Sequence, residues 1–327
     1  MRVLIYAHDT FGMGHISRAL KLAAVCTQIP NTTVLIVTGT AVPNLKDVPA
    51  CVDLIKLPSL RSVHSNMSNE PRFESFNTPL DGNVALQIRR GIINALIKDF
   101  QPDLFIVDLL PKGVEGELVS AIRHARKYGT QICLSLRDIL GDPESVIEKW
   151  QRQKYVAFVQ RYFDRVLVFG DRNVLDVVQT YNLESIAEKI SYMGYLVAQQ
   201  EDRQRGERIL VTVGGGRDGM DIITSVVRNA SKDIRKRLLV VTGPLAPENQ
   251  CALPEDVQVM RETPDLTDLM RRQKMVICMG GYNTLCEVIE TKTPAIVIPR
   301  SYPETEQLIR AERFEKRGII PDSEVKR

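Results

Sequence analysis

Four histidines occur in the 327 residues, and His15 stands where an acid–base group would be useful. It follows Gly12-Met13-Gly14 and opens the run His15-Ile16-Ser17-Arg18-Ala19-Leu20. Glycines let the turn bend sharply and let a ligand approach the backbone. The helix that follows points its free amides and positive dipole end at the same place. An imidazole, with an unperturbed pKa of about 6.5, is a suitable general base near neutral pH. It would serve equally as a helix cap, and residue type and position leave both roles open. His8 and Asp9 share the loop and could orient or replace it.

Two further glycine clusters have the same strand–turn–helix setting. Val213-Gly214-Gly215-Gly216-Arg217-Asp218-Gly219 can expose amides to a phosphate, or can simply make a tight turn. It lacks the Gly-Lys-Ser/Thr ending of an ATPase phosphate loop and the spacing of a dinucleotide fingerprint. Met279-Gly280-Gly281-Tyr282-Asn283-Thr284-Leu285-Cys286-Glu287 is the more informative cluster. A strand ending at Gly280–Gly281 and a helix starting at Tyr282 or Asn283 would hold a diphosphate on amides, without a cation. Glu287, one turn further in, is placed to accept hydrogen bonds from a ribose diol. Glu306 and Gln307 open another helix and could bind sugar hydroxyls. Strand-end Asp108, Arg137 and Asp138 are candidates for acceptor contact or for salt bridges among themselves.

These motifs need elements to hold them. Apolar runs at 2–7, 33–38, 52–57, 103–108, 131–136, 165–169, 208–213, 238–242, 256–260, 275–279 and 294–298 read as strands. Helical stretches lie between many of them. One is 84–100, whose apolar face is expected to be Val84, Ile88, Ile92, Ala95, Leu96 and Phe100. Strands apolar throughout and separated by helices imply parallel sheets covered on both faces, a doubly wound α/β fold. The pattern runs twice. Residues 1–198 form one Rossmann-like domain, the polar stretch 199–207 a linker, and 208–327 a second domain that looks shortened at its end. Residues 59–82, rich in Ser, Asn and Pro, read as a long polar loop.

Composition narrows the classes. Hydrophobic residues make up 44% and charged residues 25%, as in folded globular chains, and a net charge of +3 with no basic stripe argues against nucleic acid as partner. The six cysteines never form a C-x-x-C pair and read as buried free thiols in a reducing compartment. No run approaches the ~20 apolar residues that span a bilayer. A cytoplasmic protein is expected, with any membrane contact peripheral.

The Gly-x-Gly-His-x-x-Arg-x-Leu run, the Gly214–Gly216 loop and most strongly 275–320 resemble the GT-B glycosyltransferases of the MurG-like family. The opening His8-Asp9-Thr10-Phe11-Gly12-Met13-Gly14-His15 is closest to bacterial members of uncharacterised substrate. The resemblance implies two Rossmann-like domains, acceptor-binding and then donor-binding. It implies inverting, metal-independent transfer from a nucleotide-diphosphate sugar, commonly a uridine one, to a hydroxyl acceptor, with no cofactor. His15 would take the acceptor proton. Gly215, Gly280 and Gly281 would face the donor diphosphate, with Arg217 or Arg300 assisting, Glu287 would hold the ribose, and Glu306 with Gln307 the sugar; Gly14, Gly216, Asn283 and Thr284 would also bind the donor. The base would lie near Met260–Glu262, which includes Arg261, and Asp9, Asp108, Arg137 and Asp138 would meet the acceptor. No Asp-x-Asp metal motif occurs in the chain. Glu306-Gln307 is followed by Arg310-Ala311, where the family usually has Asn-Ala. Two other readings keep the fold: a nucleotide-sugar hydrolase and a non-catalytic sugar-nucleotide-binding subunit.

Overall fold

The computed structural model describes residues 1–8, 14–40, 48–65, 68–76, 78–197, 204–216, 218–246, 253–263, 265–300, 305–320 and 324–325, with the side chains of all but 62–65, 68–72 and 324–325. It divides into two compact units. One comprises Met1–Asp138, Glu144–Gly170 and Val177–Gly194, the other Ile139–Pro143, Asp171–Asp176 and Tyr195–Arg327. Of the expected linker, 199–203 lie outside the described residues.

The first unit runs β1 (Arg2–Ala7), α1 (Gly14–Cys26), β2 (Thr33–Thr38), β3 (Val52–Lys56), β4 (Leu60–Ser65), β5 (Ser68–Ser75), α2 (Gly82–Phe100), β6 (Leu104–Asp108), α3 (Val119–Lys127), β7 (Gln131–Arg137), α4 (Pro143–Arg152), α5 (Tyr155–Tyr162), β8 (Arg165–Phe169), α6 (Val177–Thr180) and β9 (Ile190–Tyr192). Seven of the strands form one sheet in the order β3-β2-β1-β6-β7-β8-β9, and every pairing is parallel. Val3 to Ala7 of β1 are fully buried, as a central strand covered on both faces requires. From β1 the chain moves outward one way to β2 and β3, then crosses to β6 on the other side. The order therefore reverses between β1 and β6, where doubly wound sheets leave a crevice at their carboxyl ends.

The second unit repeats the device with β10 (Ile209–Thr212), α7 (Met220–Asn229), α8 (Lys232–Arg235), β11 (Leu238–Val241), β12 (Gln258–Met260), α9 (Leu266–Arg271), β13 (Met275–Cys278), α10 (Tyr282–Thr291), β14 (Ala295–Val297), α11 (Glu306–Arg317) and β15 (Glu324–Val325). Its parallel order is β12-β11-β10-β13-β14-β15, so the reversal falls between β10 and β13. One apolar layer packs on each face of this sheet: Leu210, Val276, Leu285 and Phe314 belong to one, Val211, Ile223, Val227 and Val240 to the other.

Three expectations are corrected. Residues 59–82 are not one long loop, because β4 and β5 pair antiparallel as a hairpin. Its hold on the unit is a small cluster of Leu60, Ala85, Leu86 and Val114 with Phe73 against it, too few apolar positions to show as a strand period. Helix α2 starts at Gly82, where a Cβ would come within 1.9 Å of the Phe73 carbonyl oxygen, and it is capped by Asp81 accepting from the amides of Asn83 and Val84. Its buried face is Ala85, Leu86, Arg89, Ile93 and Ile97, whereas Val84 and Ile88 are exposed. A buried arginine marks the inward face, so the apolar positions alone do not define it. Among the cysteines Cys133, Cys278 and Cys286 are buried free thiols, but Cys51 is exposed and Cys26 only half-buried. No helix among the described residues is long and apolar enough to cross a membrane.

Candidate functional site

His15 sits in the first turn of α1 and Asp108 is the last residue of β6, so the two meet at the β1–β6 reversal. His15 Nδ1 lies 2.5 Å from Asp108 Oδ2. The other carboxylate oxygen, Oδ1, accepts from Nη2 and, at 3.1 Å, from Nε of Arg18, whose side chain is fully buried. Arg18 is one helical turn after His15, so both reach the same carboxylate. Burial works against the charge on Asp108, yet Arg18 and then His15 overcome it and hold the carboxyl well below the usual carboxylate range. An ionised carboxylate only accepts, so His15 Nδ1 carries the ring proton and donates it. In the neutral ring Nε2 is then the basic nitrogen, and it makes no hydrogen bond among the described residues.

A second imidazole supports the first. The His8 ring packs at a tilt of 46° against that of His15, with centroids 4.0 Å apart, and its Nδ1 has no hydrogen-bond partner among the described residues. Burial, His15, Arg89 and Arg18 all push the His8 pKa down, well below the ordinary histidine value, against a smaller opposite pull from Asp108. The folded protein therefore holds His8 neutral. Lowered in the fold, this group makes the unfolded chain the better proton acceptor, so stability falls as pH drops below about 6.5. Urea midpoints of wild type and His8→Gln should accordingly converge between pH 7 and 5, and parallel curves would show that His8 does not titrate on unfolding.

Beneath this pair is a closed polar network. Arg89 donates to both oxygens of Glu117 at 2.7 Å each, the Tyr6 hydroxyl also donates to Glu117, and Arg89 Nη1 donates to the Pro58 carbonyl at 2.9 Å. Gly39 is required beside it: a Cβ there would stand 2.3 Å from the His8 carbonyl oxygen and 2.6 Å from Arg89 Nη1. The donor atoms of His8, His15 and Asp108 lie within 4.8 Å of one another, as in a metal site. A cation bound through His15 Nδ1 would have to displace its proton and compete with Arg18 for Asp108. Arg137 ends β7 and Asp138 follows it, buried so closely on Gly170 that a Cβ there would approach its own at 2.6 Å. Asp9 lies outside the described residues.

In the second unit the reversal between β10 and β13 brings two glycine turns together. Gly214 and Gly216 have φ of 71° and 81°, in the left-handed region. A Cβ on Gly216 would meet the Thr242 carbonyl at 2.1 Å, and one on Gly243 the Gly214 carbonyl at 2.4 Å, so these turns interlock. Gly215 adds a carbonyl that accepts from the Leu245 amide. Thr284 Oγ1 would lie 3.6 Å from a Cβ on Gly214, which places the start of α10 beside the Gly214–Gly216 turn. Gly280 packs on α11, where its Cβ would meet the Gln307 carbonyl oxygen at 2.7 Å. A Cβ on Gly281 would meet nothing within 4 Å. Gly281 is also the N-cap of α10, with no side-chain cap bond and no acidic residue in the first turn. A helix start without an acidic side chain, beside the open space at Gly281, suits an anion.

Around this turn Asn283 and Glu287 are half-buried and Thr284 is buried. Glu287 is close enough to Cys278 that, after burial, its charge helps push that thiol up to about 12. Glu306 is buried, and its Oε1 accepts from Arg310 at 2.6 Å while Arg310 Nη1 donates to the Gly280 carbonyl at 2.9 Å. Gln307 Oε1 accepts from the Arg300 amide at 3.2 Å, which leaves its amide nitrogen without a bond among the described residues. Arg300 also pairs with Asp218. Arg261 is exposed and donates to the Pro244 carbonyl at 3.1 Å. Arg217 lies outside the described residues.

Comparison with known proteins places the domain that carries this second site. Residues 209–320 match the model of the glycosyltransferase family 28 C-terminal domain. They are a family 28 domain. Two curated relatives carry the name UDP-N-acetylglucosamine--N-acetylmuramyl-(pentapeptide) pyrophosphoryl-undecaprenol N-acetylglucosamine transferase. The one from Histophilus somni is 28% identical over 59% of this chain and 59% of its own length, and the one from Alkaliphilus metalliredigens 25% over 97% and 84%. Among solved structures, the glycosyltransferase SnogD from Streptomyces nogalater is 16% identical, with a TM-score of 0.61 over 100% of this chain and 86% of that one. The chain has the GT-B fold. It spans only 56–64% of the length of three curated relatives that it matches.

Two residues of the sites had no role assigned from sequence. Arg18 stands in the Gly-x-Gly-His-x-x-Arg run, and its spacing of three from His15 was the available signal. Arg310 of the family 28 domain lies four after Glu306, a spacing that pairs charges on one helix face.

Proposed function

We propose that the chain transfers a sugar from a nucleotide-diphosphate donor to a hydroxyl acceptor with inversion, and without a catalytic metal. The observation that carries this reading is the His15–Asp108–Arg18 arrangement at the β1–β6 reversal. It leaves one basic nitrogen of fixed tautomer, as general-base activation of a hydroxyl needs. In the proposed step Nε2 takes the acceptor proton while the acceptor oxygen attacks the anomeric carbon, and the Asp108 carboxylate meets the charge the ring gains. The nucleoside diphosphate leaves from the opposite face, and one displacement inverts the centre. The amides at the start of α10 meet the charge that grows on the leaving diphosphate.

Residues 208–327 would bind the donor, 1–198 the acceptor, and 199–207 would link them. Gly280, Gly281 and Gly215 would face the diphosphate and Glu287 the ribose. Gln307 would hold the sugar through its amide nitrogen, with Glu306 held in place by Arg310. Uridine diphosphate N-acetylglucosamine, the donor named for the two curated relatives, is the donor to try first. Nucleotide sugars are cytoplasmic metabolites, and we place the chain there, with membrane contact peripheral.

Replacing Glu287 by alanine should weaken uridine diphosphate binding by roughly 1–3 kcal/mol, the cost of losing a charge-assisted hydrogen bond. Unchanged affinity in a calorimetric titration would remove Glu287 from the ribose site. The reaction itself is tested by proton NMR of donor with a panel of hydroxyl acceptors. A glycoside of inverted anomeric configuration, formed equally well in EDTA, is expected. Free sugar released as fast without acceptor as with it would make the chain a hydrolase, and retained configuration or a strict need for a divalent cation would reject the mechanism.

A further inference from the structure

The first unit carries a second concavity, of about 600 Å³, on the outer side of α2 and α3 and reaching Tyr162 at the end of α5. It lies apart from the His15 site: Lys127 ends α3 on the way to the amino end of β7, whereas Asp108 stands at the carboxyl end of β6. Arg90, Arg123, His124 and Lys127 line it, together with Ser120 and Tyr162.

Its charge is one-sided. None of Arg90, Arg123 and Lys127 has an ion pair among the described residues, although nearby Arg126 is matched by Asp164. The one carboxylate in the lining, Glu117, is buried and already neutralised by Arg89 with a further bond from Tyr6. Arg123 and Lys127 are four residues apart, so two like charges face the same side of one helix and repel. Arg90 adds a third charge from α2, where its Nη2 donates to the Glu115 carbonyl. Cations at the end of a helix ordinarily complement its dipole. That accounts for Lys127 but not for Arg90, which stands in the middle of α2. A concave wall concentrates the field of such charges, and arginine forks with hydroxyl donors suit tetrahedral oxyanions.

We propose that this concavity binds a phosphate-bearing anion, either a soluble phosphate or the phosphate of a lipid headgroup. The site is separate from the donor site of the family 28 domain and does not depend on the transferase reading. The test follows ³¹P line broadening of inorganic phosphate by the intact protein, and sedimentation of the protein with phosphatidylcholine vesicles with and without phosphatidylglycerol. Both are run on wild type and on Arg123→Glu/Lys127→Glu, a change of two exposed residues. A soluble source is supported if the dissociation constant for phosphate rises at least tenfold in the variant. A headgroup source is supported if only sedimentation with phosphatidylglycerol vesicles is lost. Arg123→Gln/Lys127→Gln repeats the comparison should the reversal lower the melting temperature. Wild type that ignores both probes, or responses equal in wild type and variants, would overturn the proposal.

Discussion

Replacing His15 by alanine is expected to lower kcat by about 100-fold or more while nucleotide affinity stays within a factor of two or so. The size follows from the hydrogen bonds of the ring. Nδ1 is committed to Asp108, so Nε2 is the one position of this ring able to receive a proton. Losing a base of this kind raises the barrier by about 2.7 kcal/mol or more. The fold should tolerate the change, because Asp108 keeps its bonds to buried Arg18. Steady-state kinetics and calorimetry on the same preparation separate the two roles that residue type alone leaves open. Reduced stability with full turnover would make His15 a helix cap and nothing more.

The second large effect is expected at Asp108. Asparagine there leaves Arg18 buried without a counter-charge, and breaking a buried pair in this way costs about 3–5 kcal/mol of stability. It also spoils the base, since an amide NH₂ turned to Nδ1 favours the ring tautomer that carries its proton on Nε2. Turnover should therefore fall with stability, unlike the outcome for His15. The pH dependence has a definite sign. A carboxyl whose folded pKa is depressed contributes its full stability above the unfolded value of about 3.9, and loses it as pH falls toward the folded one. The gap between wild-type and Asp108→Asn urea midpoints should stay constant from pH 8 to 5 and narrow below about pH 4. A gap that stays constant down to pH 3, or a variant as active as wild type, would exclude the orienting role.

The parallel sheets could be read from the chain because their signal is local. Runs such as Leu104–Val107 and Ile209–Val211 are apolar on every residue, and only a strand covered on both faces needs that. The glycine turns were legible for the same reason: Gly214, Gly216 and Gly281 act through their own backbone and immediate neighbours. What stayed hidden involves partners far apart in sequence or polar groups facing inward. Asp108 is 93 residues from His15, and nothing in Phe-Ile-Val-Asp announces that its carboxylate will be shared with an arginine on α1. Arg89 turns inward on α2 because Glu117, 28 residues on, is there to meet it, and that displaced the expected apolar face toward Val84 and Ile88. The β4–β5 hairpin escaped because its backbone bonds, rather than an alternating apolar pattern, define it. Glu306 looked like a sugar ligand from its place at a helix start, and its bond to Arg310 shows a structural demand on the same oxygen.

We propose that a nucleoside diphosphate sits on the amides where β13 turns into α10. Hydrogen–deuterium exchange of the peptide covering residues 280–290, measured with and without saturating uridine diphosphate and the other common nucleoside diphosphates, examines those amides directly. Slower exchange at 282–285 with one of these ligands, lost in Glu287→Ala and kept in His15→Ala, is the expected result. Exchange there that no nucleoside diphosphate alters would contradict it.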